Sequence, residues 1–108
     1  MDKKSYLLQI SGSIGPSKHR EFEQTVRFVF NMLPGSCYSS HLTIDIFHPH
    51  LYHVLTLWRS ASDLVTFKTS EECNLIKGSF RTLGYIDRTL AAKLVDEHTF
   101  EITEEEDD

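Results

Sequence analysis

The stretch "HLTIDIFHPHLYHVLTLW", His41 to Trp58, decides the fold. Its first half alternates, with Leu42, Ile44 and Ile46 set against His41, Thr43, Asp45 and Phe47, the period of a strand with two unlike faces. From Leu51 to Arg59 the chain is rich in Val, Leu, Thr and aromatic residues and reads as a second strand. His48-Pro49-His50 interrupts the run. Proline cannot donate to a sheet ladder, so this tripeptide belongs in a hairpin loop. Pairing Phe47 with Tyr52 across a four-residue loop places Leu42, Ile44, Ile46, His53, Leu55 and Leu57 on one face. His41, Thr43, Asp45, Phe47, Tyr52, Val54, Thr56 and Trp58 take the other.

Upstream of the hairpin, "SYLLQISGSI" reads as a strand from about Tyr6 to Ile14, closed by the Gly15-Pro16 breaker. The period then changes. Phe22, Val26, Val29, Phe30 and Leu33 fall on one stripe of an amphipathic helix, which Pro16 opens and Pro34-Gly35 ends. Downstream, "SASDLVTFKTSEECNLIKGSFRTLG" predicts a helix in two parts. Ser60 with Asp63, and Ser70 with Glu71 and Glu72, are start signals that put acids at the positive end of the dipole. Leu75, Ile76, Phe80 and Leu83 are the expected buried stripe of the second part, Gly84 its terminator, and Gly78 a site where something packs closely. A last strand over about Tyr85 to Val95 completes β-α-β-β-α-β, the α+β ferredoxin-like order with an antiparallel sheet and both helices on one face. The opposite face then needs a cover, most simply a second copy of the chain.

Composition agrees with a single domain over residues 1 to 100. At 108 residues the chain is long enough to bury a core without metals or disulfides, and its 40% hydrophobic and 25% charged residues are ordinary for a globular protein. No run approaches the apolar length of a membrane span, and the N-terminus lacks a signal-peptide pattern, so the expected location is cytoplasmic and the membrane is not a partner. Cys37 and Cys73 lie far apart and read as free thiols in a reducing compartment. The final "EITEEEDD", residues 101–108, holds six carboxylates and no base; residues 1 to 100 therefore carry a formal +1 against −5 for the whole chain. The tail reads as an acidic, disordered end, and it tells against nucleic-acid binding, which needs a basic surface.

The chain also resembles a known family. "REFEQTVRFVFNMLPG", the strand ending in Trp58 with Arg59 to Leu64 behind it, and "TSEECNLIKGSFRTLG" look like the antibiotic-biosynthesis-monooxygenase-like family, small dimeric α+β barrels. The likeness runs from about Tyr6 to Val95. It implies a homodimer whose two sheets face each other, with a ligand pocket between helices and sheet in each subunit. Family activities include oxidation of quinols and polycyclic aromatics by O2 without metal or flavin, and oxidative haem degradation. Trp58 matches the tryptophan that borders the family pocket. Phe67-Lys68 stand where haem-degrading members have a histidine, so haem is not an expected cofactor. Val54 and Leu64 replace the asparagine and tyrosine that some quinol-oxidising members use.

The residues themselves leave two functions open. One is what the resemblance implies, a cofactor-independent monooxygenase acting with O2 on a small aromatic or quinol-type substrate, for which His41 and Asp45 are the candidate bases and Tyr52, Thr56 and Trp58 the substrate-binding residues. The other is a non-catalytic ligand-binding or interaction module on the same dimer, in which these side chains line a polar part of the interface. A metal site built from His48, His50 and His53 is not expected, because zinc needs three or four converging ligands and His53 joins only if the loop folds back.

Overall fold

A computed structural model describes residues 4–95; the acidic tail at 101–108 lies outside them. The elements are β1 (Tyr6–Ile14), α1 (His19–Phe30), β2 (Cys37–Ile44), β3 (Leu51–Trp58), α2 (Ala61–Lys68), α3 (Glu71–Leu83) and β4 (Gly84–Lys93), with a short 3-10 turn at Pro16–Lys18. The strands form one antiparallel sheet in the order β2-β3-β1-β4. This is the split βαβ arrangement expected from the order of periods.

The local rules hold where they are local. Along α1, Phe22, Val26 and Val29 are buried, with Phe30 and Leu33 packed beside them. The Ser60 side chain accepts from the Asp63 N–H at 3.3 Å and caps α2; Ser70 accepts from the Cys73 N–H at 3.1 Å and caps α3. Each such cap contributes about 1 kcal/mol. Ser70 also donates to the Phe67 carbonyl at 2.6 Å, which ties the end of α2 to the start of α3. On α3 the buried stripe is Cys73, Ile76 and Phe80, while Leu75 is exposed. The helix is phased by Cys73, a small residue that fits fully into the core. Burial pushes both thiols up from their ordinary pKa, and both are free, Cys73 buried and Cys37 half-buried. They are chemically quiet.

Burial alternates without a break along β3, where Tyr52, Val54, Thr56 and Trp58 face the helices and Leu51, His53, Leu55 and Leu57 face away. The register of β2 against β3 differs from the sequence expectation. Ile44, not Phe47, lies opposite Tyr52, Leu42 is opposite Val54, Thr43 opposite His53 and His41 opposite Leu55. The cause is Asp45. Its carboxylate accepts from the backbone N–H groups of Phe47 at 2.9 Å and His48 at 2.8 Å, which bends the chain before Phe47 can join the ladder. The loop therefore spans residues 45–50, and Ile46 and Phe47 are left exposed. Leu42 and Ile44 move to the helix side, and His41 and Thr43 to the uncovered side. The pairing shifts again between Cys37 and Ser39, a bulge that leaves Tyr38 unpaired.

Two glycines are required by space. A side chain on Gly84 would collide with the Ser13 carbonyl, and one on Gly12 with Phe80 and the Tyr85 carbonyl. Gly78, expected to sit under a close contact, has nothing within 4 Å of a Cβ position. It is an uncompensated helix-interior glycine. Gly78→Ala is predicted to raise stability by roughly 0.5–1 kcal/mol. Gly84→Ala is predicted to lower it by about 3 kcal/mol or more, because backbone must move. Urea denaturation of the two variants against wild type checks both signs.

Candidate functional site

The five residues singled out from sequence fall in separate places. Tyr52, Thr56 and Trp58 share the helix-facing side of β3 and are buried. The Trp58 indole donates to Thr56 Oγ1 at 2.8 Å, Thr56 donates to the Leu8 carbonyl at 3.3 Å, and the indole packs on Phe67 with ring centroids 5.0 Å apart. This pair belongs to the core. Tyr52 is six residues from Trp58, about 20 Å along the strand, so the two do not wall one pocket. His41 lies on the uncovered face, its Nε2 2.6 Å from Ser39 Oγ. Asp45 is spent on the turn. The hydrogen bond from His48, whose Nδ1 is 3.2 Å away, and the Phe47 N–H hold its carboxyl below the usual carboxylate range, which makes it a poor base.

The corrected register builds a different site around Tyr52. Glu23, Arg27 and Phe30 of α1 face Leu42, Ile44 and Tyr52 of the hairpin across a cleft of ≈ 350 Å³, with Thr43 at its edge. Four aliphatic or aromatic side chains, Phe30, Leu42, Ile44 and Tyr52, supply the walls, and the Glu23 carboxylate supplies the anionic anchor. The Tyr52 hydroxyl donates to Glu23 Oε2 at 2.5 Å, and Arg27 Nη2 stands 3.5 Å from Glu23 Oε1. Burial, then the adjoining Glu23, pushes the Tyr52 pKa well above that of a free phenol, so the ring stays protonated and remains a donor. Arg27 is mostly exposed at the rim, where its ion pair is worth little to stability. A cleft of this size, with apolar walls and a carboxylate beside a phenol hydroxyl, suits a small flat molecule bearing a hydroxyl.

Sequence reasoning missed Glu23 and Arg27. They sit one position after Phe22 and Val26, on the flank of the buried stripe, and follow each other at i, i+4. That spacing was visible. What it faced depended on the parity of β2.

The Tyr52 proton gives a pH test. A phenol whose pKa is raised by folding stabilises the native state below about pH 10, and that contribution is lost as pH climbs above the unfolded value toward the folded one. Wild type should therefore lose stability between pH 9 and pH 11 more steeply than Tyr52→Phe, by up to about 1.4 kcal/mol per pH unit, in urea titrations.

Comparison with known proteins bears on the fold. No protein-family model matches the sequence, and no curated protein matches it. Among solved structures, a candidate antibiotic biosynthesis monooxygenase from Chloroflexus aurantiacus J-10-fl superposes with a TM-score of 0.68 at 16% identity, covering 88% of this chain and 97% of that one. One of the same designation from Deinococcus radiodurans gives 0.67 at 9% identity, over 94% and 99%. A conserved protein from Methanosarcina mazei Go1 gives 0.66 at 14% identity, over 88% and 95%. At such identities the likeness concerns architecture, and the chain has the ferredoxin-like α+β fold of the antibiotic biosynthesis monooxygenase-like proteins.

Proposed function

We propose that the chain is a monooxygenase that uses O2, without a cofactor, on a small aromatic or quinol-type substrate bound in the Glu23–Tyr52 cleft. The observation that carries this is the carboxylate of Glu23, which lines a largely apolar cleft with the Tyr52 hydroxyl on one oxygen and Arg27 by the other. A phenol unsubstituted opposite its hydroxyl contains the electrons the reaction needs. With O2 it gives a quinone and one water, so no outside reductant enters. Glu23 accepts the phenolic proton while electron density moves to oxygen, and Tyr52 and Arg27 stabilise the charge that develops. Tyr52 keeps the substrate-binding role expected of it. Thr56 and Trp58 take no part in it and belong to the core, and the base role expected of His41 or Asp45 passes to Glu23.

Homodimerisation is part of the proposal. The sheet face away from the helices presents Leu7, Leu55, Leu57, Leu90 and Ala92, and among the described residues no helix lies over them. A second copy covers that face by the same surface. Free thiols at Cys37 and Cys73 suit a reducing, cytoplasmic setting. One observation favours the alternative, a ligand-binding module without chemistry: Glu23 already has two partners, so its carboxylate is partly satisfied before any ligand arrives.

Oxygen uptake with a panel of hydroquinones and phenols separates the two. Uptake should occur with at least one substrate, and Glu23→Gln should lower kcat about 100-fold or more while Tyr52→Phe mainly raises KM. Binding seen by NMR without uptake from any substrate selects the module, and uptake unchanged in Glu23→Gln removes the assigned base. Sedimentation at micromolar concentration should give a dimer; a monomer there would sink the homodimer.

A further inference from the structure

We propose that His19 and His50 form an open binding site for a divalent transition-metal ion of the zinc, nickel or copper class, at the hairpin end of the cleft. His19 is the first residue of α1 and His50 the last of the loop before β3, and their Nε2 and Nδ1 atoms are 3.2 Å apart. Two imidazole nitrogens bound at 2.0–2.1 Å to one tetrahedral ion are separated by about 3.3 Å, with ring centroids about 5.2 Å apart. The centroids here are 5.2 Å apart. Without an ion the same two nitrogens share a hydrogen bond, which a bound metal would replace. The rings are inclined at 70° to each other.

Both ligands are held by structure around them. The His19 and Tyr52 rings form a T-shaped pair with centroids 5.1 Å apart, and Tyr52 is fixed in turn by Glu23 and Phe22. The His50 carbonyl accepts from the Ile14 N–H at 2.9 Å, which anchors the loop to the end of β1. The other two histidines of the hairpin are engaged elsewhere: His48 lies against Asp45, and His53 Nδ1 is 2.7 Å from Ser11 Oγ on the opposite face. Among the described residues, no group of three His, Cys, Asp or Glu side chains surrounds one point. The ion would thus have two protein ligands and keep water in its other positions. Such a site binds more weakly than a closed four-ligand centre. Imidazole donors select zinc, nickel and copper over magnesium and calcium, which require oxygen. The site does not depend on the oxygenase proposal.

Isothermal titration of the full chain with Zn²⁺ and Ni²⁺ tests it. At pH 7.5 one ion per chain should bind. His50→Gln, at an exposed position, and His19→Gln should each weaken binding at least tenfold; His48→Gln should leave it unchanged, and Mg²⁺ should not bind. No binding of either transition metal up to 1 mM, binding indifferent to both His19→Gln and His50→Gln, or binding lost in His48→Gln would each overturn the assignment.

Discussion

The sheet closes where Gly84 lies against the Ser13 carbonyl. There α3 passes into β4 with no connecting loop, and the Gly15 N–H donates to the Leu83 carbonyl at 3.0 Å. Because nothing larger than hydrogen fits, the end of α3 is locked to the end of β1. Phe80, one turn back, drops onto Gly12 and meets Phe22 with ring centroids 4.6 Å apart. Phe22 then meets Tyr52 at 4.9 Å. Each aromatic pair adds about 0.5–1.5 kcal/mol beyond its buried area. The cleft residue Tyr52 is therefore positioned by a chain of contacts that begins at a glycine on the other side of β1 in the same sheet.

Most of the fold was legible because its signals are local. The stripe from Phe22 to Leu33, the serine caps at Ser60 and Ser70, and the breaks at Gly15-Pro16 and Pro34-Gly35 need only neighbouring residues to be read. The hairpin register was not legible. Alternation from His41 to Phe47 is equally good for either parity, and the choice rests on where one carboxylate turns the chain. Asp45 stops β2 at Ile44, and the bulge beside Tyr38 shifts the other end. One residue of slip exchanges the faces of the strand.

The candidate site inherited that ambiguity. Tyr52 was identified from composition and remains in the cleft, but its partners come from α1, whose outward flank carries no meaning until β2 is placed beside it. The three hairpin histidines show the same limit. Clustered in sequence, they diverge in space to a turn, a helix end and the uncovered sheet face, while His19 joins His50 from 31 residues away. Adjacency in a loop says little about convergence.

The position of β1 bears on how the chain folds during synthesis. It is the first strand to be made and a central strand of the sheet, yet its two neighbours are β3 and β4. Its last pairing, Tyr6 with Lys93, requires almost the whole domain. Until β4 emerges from the ribosome, the apolar run Tyr6–Ile14 has an unpaired edge. Long-range closure of this kind slows folding and exposes strand edges to association. The step most vulnerable to aggregation is thus the interval between translating the third strand and the fourth.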